Sequence, residues 1–174
     1  MNKQIGVFMA VLVSAGLVAG TGFAATGIAT MMGTAPDSKI GGTVTLTDTP
    51  AGLKVSAQLI NVPEGKHGFH IHEFGACGDA GKAAGGHFNP AGMPHGMVMK
   101  DGVEHVHAGD MGNITADKNG MAMLDVVIPG VTLAGGKFAV ANHAIILHEK
   151  VDDFGQPTGN AGGRIGCGVI QLSK

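Results

Sequence analysis

GTVTLTDTPAGLKVSAQLI, residues 42–60, carries two runs of strict alternation on either side of a turn. Thr43, Thr45 and Thr47 alternate with Val44 and Leu46, and Leu53, Val55, Ala57 and Leu59 stand opposite Lys54, Ser56 and Gln58. A period of two sends successive side chains to opposite faces, so each half reads as a strand with one apolar face. The Thr-Pro-Ala-Gly run at Thr49 to Gly52 supplies the turn, because proline and glycine suit the dihedral angles of a tight reversal. Outward from this hairpin, Met121–Ile128, Phe138–His148 and Gly168–Leu172 also read as strands, and no amphipathic helix of useful length is present. Short strands with Gly and Pro turns predict an all-β domain, an antiparallel sandwich or barrel.

The alternation lapses twice. From Gly75 to Met111 glycines, prolines and histidines follow one another without period, and a loop that long in a compact domain is either functional or disordered. Its histidines favour function. A second, shorter lapse covers Val151–Gly166 and contains the run GNAGG at 159–163.

Composition points the same way. The chain has 31 glycines, no Trp or Tyr, and 9 histidines beside 11 Lys+Arg and 13 Asp+Glu, with a formal net charge of −2. So much glycine implies many turns, and so much histidine raises the prospect of metal. The acidic balance speaks against a nucleic-acid partner. Met1-Asn-Lys3, an apolar run from Ile5 to about Val18, and small residues at Gly20, Gly22, Ala24 and Ala25 follow the order of a secretory signal, cut after Ala24. An uncleaved anchor is the other reading, since Ile5 to Ala25 is long enough to span a bilayer. Residues 1–24 are therefore read as a leader, and 25–39 as a flexible segment or a first short strand. Cys77 and Cys167 each lack a neighbouring cysteine, so in an exported chain they read as one long-range disulfide.

In Gly68-Phe-His-Ile-His-Glu73 the strand period places His70 and His72 on one face and Phe69 and Ile71 on the other. Alone, such a pair is as readily two surface histidines as a chelate. His148, at the end of the strand-like Ala144–His148, provides a third imidazole that can meet them across strands. The long loop adds His87, His95, His105, His107 and Asp110, a mixed nitrogen and oxygen set suited to zinc.

Five segments, GFHIHEFG (68–75), GGHFNP (85–90), HAGDMGN (107–113), LHEKVDDFG (147–155) and GNAGGRIGCGVI (159–170), together resemble the signatures of the copper/zinc superoxide dismutases, in that family's order. The resemblance spans about Gly42 to Leu172 and implies one domain at 40–174. The implied fold is a Greek-key β-sandwich or flattened barrel of about eight strands, with a long metal-binding loop and a shorter channel loop. It implies one copper per subunit on His70, His72, His87 and His148, and one zinc on His87, His95, His107 and Asp110, with His87 shared. His107 is preferred to His105 because it alone keeps the three-residue step to Asp110.

The resemblance further implies Arg164 as the guide for the superoxide anion, with His87 as the proton carrier. Asp152 would hydrogen-bond a copper histidine and a zinc histidine together, and His67 would be structural. His143 matches no signature and reads as a surface residue. Cys77 lies closer to His72 than in the eukaryotic enzymes, and the short channel loop QPTG (156–159) lacks their Glu and Lys residues. The expected function is disproportionation of superoxide by a periplasmic or secreted enzyme free of the membrane once the signal is cut, with a homodimer left open. The alternative is a non-catalytic relative that binds or delivers copper.

Overall fold

The structure is a computed structural model that describes residues 24–173. The leader assigned to 1–24 lies outside the described residues except for its last position. Nine strands follow in order: β1 Thr26–Gly33, β2 Gly41–Thr49, β3 Gly52–Ile60, β4 Gly65–His72, β5 Asp110–Ala116, β6 Ala122–Ile128, β7 Ala144–His148, β8 Arg164–Val169 and the short β9 Gln171–Leu172. All pair antiparallel.

The alternating hairpin forms β2 and β3, with Thr49 opposite Gly52 across a two-residue turn at Pro50 and Ala51. Val44, Leu46, Leu53, Val55, Ala57 and Leu59, the apolar set read from the alternation, are all buried. Side chains of this size each contribute roughly 1.5–3 kcal/mol when fully buried. From β2 the sheet runs β3, β6, β5, β4, β7 and β8, and β1 then pairs with both β8 and β2. Closure leaves no free edge in the eight-stranded ring. The steps from β3 to β4 and from β6 to β7 cross over rather than join neighbours, as the expected Greek-key barrel requires. Because β1 is one of the closing strands, the barrel begins before residue 40.

Three sequence readings shift. Of Phe138–His148 only Ala144–His148 is strand: Asn142 takes a left-handed φ of 65° and sends its N–H to the Ile170 carbonyl, which ends any ladder there. Gly168–Leu172 begins earlier, at Arg164, and is interrupted at Ile170, whose N–H turns to the His143 carbonyl. The long lapse ends sooner than Met111, because β5 starts at Asp110. Between β4 and β5 lie only a 3-10 turn at Lys82–Ala84 and the single helical turn α1, Val98–Asp101.

This architecture positions the site through two strands. On β4 Phe69 and Ile71 enter the barrel core while His70 and His72 face outward beneath the long loop. On β7 Ile145 and Leu147 belong to the core, whereas Ile146 packs outside it with Ala84, Ala144 and Cys167. The register sets His70 against Ile146 and His72 against Ala144, which brings His148 onto the same outer face.

Candidate metal centre

His70, His72, His87 and His148 are all buried, and each offers one ring nitrogen so that the four lie within 4.8 Å of one another. Their hydrogen bonds select which nitrogen is free. His72 donates from Nδ1 to the Gly85 carbonyl at 3.1 Å, so its Nε2 carries the lone pair, 3.3 Å from Nε2 of His148. His70 donates from Nε2 to Asp152 Oδ2 at 2.8 Å and leaves Nδ1 buried without a partner. A buried polar atom with nothing to bond is costly unless something else fills its lone pair. Burial, reinforced by the neighbouring imidazoles, pushes the pKa of His72 down to about 2 and that of His148 down to about 3. His72 and His148 are therefore neutral rings, and their lone pairs converge with the unpartnered Nδ1 of His70.

A second group joins His87, His95, His107 and Asp110, also all buried. Asp110 Oδ1 lies 2.7 Å from His87 Nδ1 and 3.1 Å from His107 Nδ1, and Oδ2 accepts the Gly96 N–H at 2.9 Å. Oδ2 also stands 2.7 Å from His95 Nδ1, yet no hydrogen bond connects them. That distance without donor alignment is how two ligand atoms lie when both face a common third point. Burial would raise the Asp110 carboxyl, but hydrogen bonds from His107 and His87 and the close approach of His95 hold it far below the usual carboxylate range. Burial likewise opposes a charge on His95, yet Asp110 and Asp152 outweigh it and raise that ring to about 9. For His87 burial prevails over the Asp110 bond and lowers it to about 4.

Asp152 ties the groups together. Its Oδ2 accepts from His70 and its Oδ1 from His95 Nε2 at 2.9 Å, so one carboxylate leaves Nδ1 of both rings free. Gly159, at a φ of 76°, passes so close that a Cβ there would strike Asp152 and His95. The donor sets fit copper and zinc: imidazole suits both, and three imidazoles with one carboxylate are a normal tetrahedral zinc set. The seven expected ligands thus gather into the two groups, and His105 stays exposed outside them.

Comparison with known proteins agrees with this chemistry. The family described as Copper/zinc superoxide dismutase (SODC) matches residues 40–170. The chain belongs to the copper/zinc superoxide dismutase family. Superoxide dismutase [Cu-Zn] 5 of Dictyostelium discoideum is 38% identical over 134 residues, covering 73% of this chain and 86% of the relative. The crystal structure of the clock protein EA4 superposes with a TM-score of 0.76 at 33% identity, over 88% of this chain and 98% of that one. As a member of the family the chain is an oxidoreductase acting on superoxide, and the family's cofactors are copper and zinc.

In this superoxide dismutase scaffold, Arg164 stands opposite His148 across β7 and β8. Its guanidinium donates from Nη1 to the Gly81 carbonyl at 2.7 Å and from Nη2 to that of Gly85 at 2.6 Å, which fixes it on the rim of a pit shared with His72, His87, His148, Thr158 and Asn160. Cys77 and Cys167 form a disulfide across 90 residues with Cα atoms 5.7 Å apart, and the loop it anchors carries Gly81 and Gly85. A structural disulfide points to an oxidising compartment. His67 approaches the carbonyls of His148 and Pro63 at 2.9 and 2.8 Å, a structural placement.

Two contributors escaped the sequence reading. His143 is half-buried rather than a free surface residue: its Nδ1 donates to the His72 carbonyl at 3.0 Å, and its ring lies 4.3 Å from that of Phe88. Asn113 spans the Asp152 backbone, accepting its N–H at 2.7 Å and donating to its carbonyl at 2.9 Å. For Asn113 the signal was present, since it closes the segment HAGDMGN. For His143 no local pattern marks it.

Proposed function

We propose that the chain disproportionates superoxide to dioxygen and hydrogen peroxide with copper held by His70, His72, His87 and His148 and zinc held by His87, His95, His107 and Asp110. The observation that carries this reading is the membership of His87 in both groups, with its Nδ1 turned to Asp110. A ring placed so can serve two ions as an imidazolate. Bound copper supplies the one-electron exchange, which zinc, having no redox chemistry, does not.

The chain's own groups supply the rest. Arg164 offers a fixed positive charge at the pit, where two carbonyls already hold its plane, and so attracts and orients an anion of superoxide's size. His87 Nε2 takes up a proton when free and passes it to the departing peroxide. Overall, two superoxide anions and two protons become one dioxygen and one hydrogen peroxide. Residues 1–24 act as an export leader in this reading, which accounts for a disulfide in the mature protein.

The test is elemental analysis of the mature protein together with a superoxide assay before and after chelation. One copper and one zinc per chain, with turnover that chelation abolishes, is expected. A fully loaded protein without turnover would overturn the catalytic reading in favour of copper binding or delivery.

A further inference from the structure

The seven ligand residues are not held equally. His70, His72 and His148 lie on β4 and β7, where neighbouring strands bind their backbones, and His87 forms a bridge with His72. His107 donates its N–H to the Pro94 carbonyl, and its own carbonyl accepts from Asp110. His95 has no such support: neither its N–H nor its carbonyl bonds any other backbone group among the described residues. Both are taken by one side chain. Gln156 Oε1 accepts the His95 N–H at 3.0 Å, and Gln156 Nε2 donates to the His95 carbonyl at 2.9 Å.

A carboxamide is planar, with one acceptor and a donor at a peptide's spacing, so it can satisfy both backbone groups of one residue as an adjacent strand would. Gln156 belongs to the short channel loop, sixty-one positions from His95. We infer that Gln156 is a positioning residue for the second metal group: it holds the backbone of His95 so that Nδ1 stays aimed with His87, His107 and Asp110, and it ties the channel loop to the metal loop. The same device recurs beside it, where Asn113 spans the backbone of Asp152, and His95 and Asp152 are themselves bonded. A chain Asn113, Asp152, His95, Gln156 thus runs from β5 through both loops. Partners of ligand residues generally change metal affinity by about 10 to 100-fold when removed, and the exposed position of Gln156 puts it at the lower end of that range.

This inference rests on the reading of the second group as the zinc site, and its test separates the two. Gln156→Met keeps the length and volume of the side chain and removes both hydrogen bonds; Gln156→Ala removes the volume as well. Zinc affinity is measured by competition with a chelator in copper-free protein, copper affinity in zinc-free protein, and the visible ligand-field bands of cobalt(II) in the second group report its geometry. Both variants should bind zinc about tenfold more weakly and shift the cobalt bands, with copper affinity unchanged. Unaltered zinc affinity and cobalt bands in Gln156→Met would overturn the inference, as would an equal loss of copper affinity. Should the alanine variant fail to fold, the methionine variant decides alone. Wild-type protein that binds no zinc would instead remove the reading of the second group.

Discussion

The two metal groups share His87 but solve opposite electrostatic problems. The first, His70, His72, His87 and His148, contains no carboxylate, and burial with mutual repulsion keeps His72, His87 and His148 neutral. The second is organised around the buried anion Asp110, which three histidines approach and which helps to raise His95 to about 9. Their supports differ as well. Strands hold three of the four residues in the first group, whereas side chains reaching from loops hold much of the second. A group built on strands comes with the barrel, and a group built on loops depends on its charges being paired.

The largest difference should appear on removing one residue from each group. Asp110→Ala leaves the charge favoured on His95 without its main partner, and should destabilise the metal-free protein by about 3–5 kcal/mol while abolishing binding at the second group. His148→Ala should abolish copper binding at a smaller cost in stability, since a neutral ring is lost. Denaturant unfolding of both metal-free variants checks this, and equal costs would break the contrast.

Asp152→Asn should reach both groups, because one carboxylate orients His70 and His95. Affinity for each metal is expected to fall by about 10 to 100-fold, measured by chelator competition. Loss at one group alone would show that the link between them carries no energy.

The smallest effect is in protons. His72, His87 and His148 have folded pKa values below the ordinary 6.5, so in the metal-free protein they favour the folded state above that pH, and their contribution is lost as pH falls towards 4 and below. His95 works in the opposite sense: its contribution is complete below 6.5 and lost as pH rises through about 9. Near neutral pH, loading zinc alone should therefore release the proton held on His95, whereas His72 and His148 have none to give to copper loaded alone. Calorimetry in buffers of different ionisation heat reads the number directly. Equal release would place the same charge in both groups.

The fold and the strand-borne ligands were legible because strand period is local. Leu53 to Leu59 announces its buried face, and Phe69 and Ile71 send His70 and His72 outward by the same rule. Loop residues carry no such period. His95 stood among the loop's donors by residue type alone, Asp152 and Arg164 were reached through resemblance to a family, and His143 was misread as a surface residue because nothing near it in sequence hints at the His72 carbonyl it bonds. The over-long strand at Phe138–His148 has a related cause: apolar spacing continues through a segment that Asn142 turns aside.

The alternating strands, the outward histidines of β4 and β7 and the types of ligand on offer follow from short-range sterics and side-chain chemistry, and so were written in the residues alone. Resemblance to the family pointed to Asp152 between the groups and to His107 over His105, whereas the folded chain alone revealed that Asn113 spans the Asp152 backbone and that Gln156 stands in for a strand at His95. Those contacts join residues 39 to 82 positions apart, and closure of the barrel brings them within hydrogen-bonding distance.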